Sequence, residues 1–576
     1  MNGRVPGLGR IRRATPMRLA EPIPIGYHAA RPDTMVTLRP PAHVLLVAAL
    51  VVVARLPYLL HGTWFFDSDE AVEGLMARHV LQGEFPAFLW GQHYKGVPEV
   101  YLNAVVFGLF GSSVVALKAT TLAIFAVYAG LHFRLIETLF SRRVAWIGSL
   151  LLMACPPALV LWSLSGNAEI VLTLTAGAIL LLGVERWRTT GSRLGLVMAS
   201  AATGFGLWVH QYLFLYLAAL AIVAAARVSH SQTAFRDFLS ARETSTGIRR
   251  LLHLLVAVGV VYAALGAYAF VAGGFEVSAL GAALSARHPQ KLWRVACACL
   301  IGWAGLTWVI RQSSVQRATF ARVMALPLAA FLVGYAPVLV HRATTGGRGP
   351  IARMDLNGLV ASLPTVAYDI VPILLGFKSP GTARLPIASG YALLVGVILV
   401  LSFEGIRRSG ATRVFHIYLG CVAIGFLASG ATIDAQSYRY LMPLYAALPA
   451  VYAVGIDTAA RWNRWAGRGL CGALVCLFAA QQITWYNRME PDTESRAILS
   501  CVDARGVRHA RAGYWLSYKL TFLANERLIV APTDGVDRYP EYTRLVAASG
   551  QAPTLHRPLD PATADCDRVI AAGMRR

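Results

Sequence analysis

The residues Phe66-Asp67-Ser68-Asp69-Glu70 set three carboxylates side by side immediately after an apolar run. Solubility does not require them there, and an acidic cluster at the mouth of a helical bundle can act as a general base or hold a cation. Part of the pattern has a plainer reading. Asp67-x-x-Glu70 is a capping box, with Asp67 as N-cap and Glu70 at the third helical position, so both can serve simply to start a helix. Asp69 is not needed by such a cap. It is the candidate base, with Asp67 and Glu70 as its catalytic neighbours.

Further along, Gly91-Gln92-His93-Tyr94-Lys95-Gly96-Val97-Pro98-Glu99 offers a lysine between glycines. A compact ammonium beside the bilayer can hold a phosphate where glycine lets the backbone come close, or it can be a lysine that snorkels to the interface. Tyr94 and Glu99 join Lys95 as candidate substrate-binding residues. Ser165-Gly166-Asn167-Ala168-Glu169 puts a carboxylate at a helix start, where it can also serve the helix dipole. Trp208-Val209-His210 supplies a histidine, more often structural than a ligand. Tyr438-Arg439-Tyr440 offers an arginine suited to phosphate or carboxylate, or to anchoring in an aromatic belt.

What must position these groups is a membrane-embedded bundle. Of 576 residues 56% are hydrophobic and 14% charged, with a mean hydropathy of +0.53. Apolar runs of about 18 to 22 residues exclude a soluble multidomain protein and make a β-barrel a poor fit. The net charge of +23 would suggest nucleic acid in a soluble protein, but here it marks loops, and no nucleic-acid partner is expected. Spans are predicted at 42–60, 112–133, 145–163, 170–185, 194–209, 211–226, 251–272, 292–310, 323–340, 386–403, 414–431, 439–457 and 468–485, about thirteen in all. Arg10, Arg12 and Arg13 precede the first span, and Arg142, Arg143, Arg186, Arg188, Arg249, Arg250, Arg311, Arg317, Arg407, Arg408, Arg461 and Arg464 make every second loop basic. The basic tail 1–41 is then cytoplasmic. Residues 487–576 fall on the opposite side, with the loop 61–111.

Within that loop the periodicity from Glu70 to Leu81 predicts an amphipathic helix lying at the membrane surface. A second loop, 341–385, contains Val366–Phe377, an apolar stretch too short to span. The tail alternates apolar runs with polar, Pro-containing turns, which predicts a small mixed α/β domain. Six of the eight cysteines lie in apolar stretches, while Cys501 and Cys566 lie in polar sequence on the oxidising side and are expected to form a disulfide. Residues 1–34 carry no recognisable element, which leaves Met17 and Met35 as alternative starts.

Asp69, Lys95, Glu169, His210 and Arg439 all fall on one face under a topology assigned from arginines elsewhere. Carboxylates, cations and a histidine meeting beside lipid imply catalysis on a lipid phosphate. Asp67-Ser68-Asp69 also matches the Asp-x-Asp pattern of soluble nucleotide-sugar enzymes, but nucleotide-sugars are not supplied outside the cytoplasmic membrane, so a donor there should ride on a lipid.

These residues resemble the GT-C class of membrane glycosyltransferases, specifically glycosyltransferase family 39, which includes protein O-mannosyltransferases and the transferases that add aminoarabinose to lipid A. Asp69-Glu70, Met76-Ala77-Arg78, Gly83-Glu84, Lys95-x-x-Pro98 and Leu109-Phe110-Gly111 look like the family's Asp-Glu, Ala-Arg, Gly-Asp-Trp, Glu-Lys-Pro-Pro and Leu-Phe-Gly elements. The resemblance implies thirteen spans with an extracytoplasmic C-terminal domain. It makes Asp69 the catalytic aspartate, Glu70 its partner, Lys95 a phosphate-binding residue and Glu169 the acidic residue after the third span. Tyr94 stands where the family has Glu and Gly96 where it has Pro, leaving Glu99 to supply a carboxylate. The chain is also similar to bacterial family-39-like proteins with a GLMA-type helix, a GQxYxGxxE loop, an RYLxPLY segment and a tail like Tyr514-Trp515 through Arg538-Tyr539-Pro540.

The expectation is an all-α polytopic GT-C protein of the bacterial cytoplasmic membrane with a small extracytoplasmic α/β domain: tail 1–41, membrane domain 42–486, C-terminal domain 487–576. It would move a sugar from a polyprenyl-phosphate-linked donor to a protein, lipid or glycan acceptor among membrane lipids. Asp69 would be the base and Lys95 with Arg439 would stabilise the departing phosphate. Glu70, Glu99 and His210 would orient the acceptor or hold an optional divalent metal ion. The alternatives are a transporter or flippase of a lipid-linked or anionic solute, and an inactive lipid-binding scaffold.

Overall fold

The structure is a computed structural model that describes residues 41–61, 65–230, 246–272, 276–279, 282–285, scattered positions between 292 and 303, 314–345, 356–382, 389–408, 413–427, 433–550, 552–558, 561 and 565–571. The predicted tail 1–41 (save its last residue), most of the span predicted at 292–310, and Trp64 of the acidic loop lie outside the described residues.

Helix α1 (Ala42–Leu60) leads into the acidic loop, which folds as α2 (Ser68–Leu81), a hairpin of β1 (Phe88–Leu89) and β2 (Gln92–Gly96), and α3 (Pro98–Phe110). Next come α4 (Val114–Leu139), α5 (Arg142–Met153), α6 (Pro157–Trp162), α7 (Glu169–Thr190), α8 (Arg193–Val209) and α9 (Leu213–His230). They are followed by α10 (Thr246–Ala272), a hairpin of β3 (Glu276–Ala279) and β4 (Ala282–Ser285), α11 (Ser314–Thr345), α12 (Leu356–Thr365), α13 (Val371–Leu375), α14 (Ser389–Arg408) and α15 (Arg413–Leu427). A 3-10 helix (Ser437–Ala446), α16 (Leu448–Trp462) and α17 (Arg464–Tyr486) complete the bundle. Apolar runs take this form because a helix satisfies its own backbone where no water can.

Among the described residues six helices are long and apolar enough to cross a membrane: α1, α4, α7, α17, and the 250–269 and 323–344 parts of α10 and α11. The 3-10 helix with α16, bent by 52°, makes a seventh. The other apolar stretches among the described residues hold 10–17 residues, Leu213–Ala224 of α9 and Ala392–Gly405 of α14 among them. Six or seven full-length apolar crossings are thus described, against the thirteen spans expected. The segment 145–163 is not one span: Pro156 and Pro157 break it into α5 and α6.

That break leaves the last carbonyls of α5 without helical donors. Arg55, fully buried in α1, supplies them: Nη1 donates to Met153 O at 2.7 Å and Nη2 to Leu152 O at 2.8 Å. It also donates to Cys155 Sγ at 2.9 Å and Ser163 Oγ at 3.3 Å. A charge buried inside the bundle is thus tied to a specific defect in the neighbouring helix. The defect in turn delivers the loop 163–168 to one end of the bundle.

Helix α4 links the two ends. Near its start is Lys118; near its finish Glu137 accepts from Arg134 at 2.7 Å and Arg142 at 2.9 Å. Asp457 draws in Arg143 (3.4 Å) and Arg461 (3.0 Å), so two of the basic loops gather at that finishing end. The acidic loop gathers at the other.

The chain after α17 forms a small α/β unit: α18 (Thr493–Ala504), β5 (His509–Ala512), α19 (Tyr514–Leu523), β6 (Ile529–Pro532), α20 (Pro540–Ala548), β7 (Thr554–Leu555), α21 (Cys566–Val569) and β8 (Ile570–Ala571). Its sheet has the order β6-β5-β7-β8, parallel except for the last pair. Ile498, Val502, Leu516, Leu520 and Val530 fill its core. Cys501 and Cys566 are joined by a disulfide, with Cα atoms 5.2 Å apart.

This unit sits on α2, and there the surface-helix expectation fails. Ten of the fourteen residues of α2 are buried, enclosed by α3, α4 and α19 rather than lying on a membrane surface. Gly74 permits the enclosure, since a Cβ there would fall 2.5 Å from the Phe522 ring. Arg78 covers the same ring at 4.1 Å.

Replacing Arg55 by Met should leave two buried carbonyls without donors, at about 1–3 kcal/mol each. A clear fall in the thermal unfolding midpoint of the detergent-solubilised protein is expected; an unchanged midpoint would show that α5 ends without needing Arg55.

Candidate active site

Four consecutive residues at the start of α2 do four different things. Asp67 caps the helix, its Oδ1 accepting from Glu70 N–H at 3.0 Å. Ser68 Oγ donates to Tyr514 O at 2.6 Å and accepts from Lys519 N–H at 3.2 Å, fastening α2 to α19. Asp69 keeps 28% of its side chain exposed. Glu70 does not return to the cap as the box predicts. It turns inward, where Lys118 Nζ donates to its two oxygens at 2.7 and 3.0 Å and Gly166 N–H donates at 2.9 Å. Glu70 is thus buried, with Lys118 and Gly166 as its partners. Burial, with the nearby charges of Glu70 and Asp69, pushes Asp67 up to about 7.

Lys95, on β2, is also committed. It lies 3.0 Å from Glu73 and 2.8 Å from Glu169, donates to Asn167 and is 5% exposed. Glu169, the first residue of α7, is nearer the open side, with 14% of its side chain exposed. Glu99 lies behind this pair at the start of α3, accepting from Thr121 Oγ1 at 2.6 Å and from Ala168 N–H. Burial raises Glu73 and raises Glu99 well above the ordinary carboxylate range; the two share a hydrogen bond and so hold a proton between them. Gly96 does allow a close backbone approach, but to the Trp208 carbonyl: a Cβ at 96 would sit 2.3 Å from that oxygen. The loop 163–168 unites the cluster. Gly166 N–H serves Glu70, Asn167 serves Lys95 and Ala168 N–H serves Glu99.

The C-terminal unit contacts Asp69 directly. Tyr514 Oη donates to Asp69 Oδ1, and Arg538 Nη2 lies 3.9 Å from the same oxygen. Arg538 Nε donates to Tyr514 Oη at 3.3 Å, and its guanidinium lies over the Tyr514 ring at 5.4 Å. With the Gln92 amide oxygen turned toward it, Arg538 donates two bonds of 2.7 and 2.8 Å to that oxygen. Tyr94 lies within electrostatic reach of Arg538, Lys95, Tyr440 and Glu169, which places it on the same rim. Arg439, in the 3-10 helix, donates to Tyr440 Oη at 3.2 Å and lies within reach of Asp69. His210 is buried at the end of α8, stacked on Tyr212 at 4.0 Å, with Nδ1 accepting from Tyr212 N–H at 3.2 Å. Burial and Lys95 bring it down to about 3, so its imidazole is neutral.

Asp69, Tyr94, Glu169 and Arg439 are thus partly exposed or within electrostatic reach of one another, while Glu70, Lys95, Glu99 and His210 are buried beside them. Glu70, Glu99 and His210 are each engaged separately, and among the described residues no three His, Cys, Asp or Glu side chains converge on a cation position. The candidate metal-ligand set is not assembled. Sequence reasoning left Lys118, Tyr514 and Arg538 without roles. Lys118 had a signal, as a lysine inside an apolar run. Tyr514 and Arg538 stood in the tail motif, but nothing local linked them to residue 69.

A second cluster closes the joint between α2 and the C-terminal unit. His79 Nδ1 bonds Glu84 at 2.8 Å and Nε2 bonds Glu526 at 3.1 Å, beside Tyr542, Tyr539 and Trp90. Trp90 stacks on Tyr539 at 3.9 Å. Burial pulls His79 down, but hydrogen bonds to Glu526 and Glu84 outweigh it and the imidazole is raised.

No protein-family model and no curated protein matches the chain. Among solved structures it is similar to ArnT from Cupriavidus metallidurans bound to undecaprenyl phosphate, at 13% identity over 89% of this chain and 92% of that one, TM-score 0.50. The apo state of that ArnT matches at 12% identity over 89% and 93%, TM-score 0.47. The archaeal oligosaccharyltransferase AglB from Archaeoglobus fulgidus, in complex with an inhibitory peptide and a dolichol-phosphate, matches at 14% identity over 89% and 69%, TM-score 0.44. The first likeness is one of fold: the chain has the GT-C architecture of a polytopic membrane protein.

Lys95→Met should destabilise the protein by about 3–5 kcal/mol, since Glu73 and Glu169 would be left buried without their cation; a raised donor KM with unchanged thermal stability would instead make Lys95 a phosphate ligand. The raised His79 contributes stability that is complete below about pH 6.5 and fades as pH rises through its folded value. The unfolding midpoint of the wild type minus that of His79→Gln should therefore shrink from pH 6 to about pH 8.5; a constant difference would refute the link.

Proposed function

We propose that the protein is a lipid-carrier-dependent glycosyltransferase, moving a hexosyl or pentosyl group from a polyprenyl-phosphate-linked donor to an acceptor hydroxyl on a protein, lipid or glycan. The observation that carries this reading is Asp69: a partly exposed carboxylate at the membrane-proximal rim of a GT-C fold, in reach of the half-buried Arg439 and Arg538. The ArnT of like fold was solved bound to undecaprenyl phosphate, which supports a polyprenyl phosphate as the carrier here.

In the step, Asp69 takes the acceptor's proton as the acceptor oxygen bonds to the anomeric carbon. The bond between that carbon and the phosphate oxygen breaks, its electron pair leaving with the polyprenyl phosphate, and attack from the opposite face inverts the anomeric centre. Arg439 neutralises the charge that grows on the departing phosphate. Lys95 contributes indirectly, by fixing Glu169 and the hairpin that carries Tyr94.

The basic loops at 140–143 and 461–464 lie at the end of the bundle remote from Asp69, which supports a cytoplasmic N-terminus, an extracytoplasmic site and an extracytoplasmic unit 487–576 following the membrane domain 42–486. The membrane is proposed to be the bacterial cytoplasmic membrane. The transport alternative gains no support, because the Lys–Glu pairs around α2 gather at one end of the bundle rather than along its middle.

The test is transfer of radiolabelled sugar from a panel of polyprenyl-phosphate sugars in membranes bearing wild type or Asp69→Asn. The wild type should transfer label from at least one donor, and the variant should lose roughly 10²-fold or more of that rate. Full activity in Asp69→Asn would remove Asp69 as the base, and no transfer from any donor would remove the enzyme reading.

A further inference from the structure

We infer that Tyr514 and Arg538 of the C-terminal unit are positioning residues for Asp69, so that the unit is a working part of the active site rather than an appended binding module. This rests on the glycosyl-transfer reading above. Both residues address one carboxylate oxygen: Tyr514 Oη donates to Oδ1, and Arg538 Nη2 approaches Oδ1 at 3.9 Å. Among the described residues Oδ2 has no hydrogen-bond partner. It is the oxygen left to accept a proton from a substrate.

The two positioning side chains are themselves held from several directions. Tyr514 N–H donates to Asp534 Oδ2 at 2.8 Å, and its carbonyl accepts from Ser68 Oγ at 2.6 Å and Ser517 Oγ at 3.0 Å. Arg538 N–H donates to Tyr518 Oη at 2.7 Å, and its guanidinium is set by the Tyr514 hydroxyl and the Gln92 carboxamide. A carboxylate on a short side chain can rotate about two bonds; fixing one oxygen from a rigid frame fixes where the other points. Ser68, the residue immediately before Asp69, carries the frame into α2, so main chain and side chain of the base are registered to the same helix α19. The role assigned to this unit is orientation of the base, not contact with the leaving phosphate.

Removal of the Tyr514 hydroxyl should leave the Asp69 carboxylate free to rotate away from the acceptor. The experiment uses the full-length protein in membranes, with the polyprenyl-phosphate sugar that the wild type accepts, and compares wild type, Asp69→Asn, Tyr514→Phe and Arg538→Lys for kcat, donor KM and thermal unfolding. Tyr514→Phe is expected to lower kcat about tenfold or more and to leave donor KM within about twofold, in protein that unfolds near the wild-type temperature. Arg538→Lys, which keeps the charge but not the planar fork, should show the same pattern more weakly. If Tyr514→Phe does not accumulate folded, Arg538→Lys is read by the same criteria.

An unchanged kcat in folded Tyr514→Phe, or a kcat loss that simply follows a fall in unfolding temperature, would overturn the inference, because a merely structural contact behaves that way. So would a raised donor KM at constant kcat, which would make these residues substrate ligands. Wild-type transfer that depends on Asp69 but not on Tyr514 or Arg538 would overturn this inference and leave the function standing. Absence of wild-type transfer would overturn both.

Discussion

Two buried lysines hold the site together. Lys118 compensates Glu70 and Lys95 compensates Glu73, and both glutamates belong to a helix enclosed on nearly every side. Taking a carboxylate out of water costs several kcal/mol unless a cation and further donors meet it, so α2 can be enclosed only where both ammoniums arrive. That requirement fixes much else. Lys118 comes from α4 and Lys95 from the hairpin, while the loop 163–168 gives Glu70 the Gly166 N–H and Lys95 the Asn167 Oδ1 as acceptor, so three separate elements are placed by the needs of two side chains. The same pairing commits Lys95 and Glu70 to buried partners and leaves Asp69, one residue from Glu70, partly exposed.

The loop 163–168 exists because of a break elsewhere. Pro156 and Pro157 interrupt what would have been a single span, and Arg55 makes the interruption tolerable inside the bundle. The short α6 then returns the chain to the site end with its backbone N–H groups unspent on helix. Gly166 can approach Glu70 only without a side chain, since a Cβ there would lie 2.6 Å from Leu117. A helix defect, a buried arginine and a glycine thus belong to one arrangement, although none touches a substrate.

Much of this was legible in the sequence where the signal is local. The acidic loop, the half-used capping box, Glu169 at a helix start, the mixed α/β tail and the pairing of Cys501 with Cys566 follow from composition, spacing and context. The rest was not legible, for identifiable reasons. The pattern from Glu70 to Leu81 reads as amphipathic because it mixes charge and apolar residues, but its charges are paired internally, so no face is left for water. Lys95 reads as a free cation because its partners Glu73 and Glu169 lie 22 residues before it and 74 after it. Among the described residues six helices, or seven with the bent pair, are long and apolar enough to cross, because prolines and short helices interrupt the other apolar runs. The Tyr514–Asp69 contact joins residues 445 apart, which no local pattern encodes.

That last contact bears on when the protein becomes competent during its own synthesis. The segments that carry Asp69, Lys95 and Arg439 are all made before the ribosome reaches Tyr514, and the Cys501–Cys566 disulfide of the final unit can form only later still. A nascent chain can therefore pack its helices while its aspartate still lacks the tyrosine that contacts it. A chain released before Tyr514 would carry Asp69 without either the tyrosine or the arginine that address it.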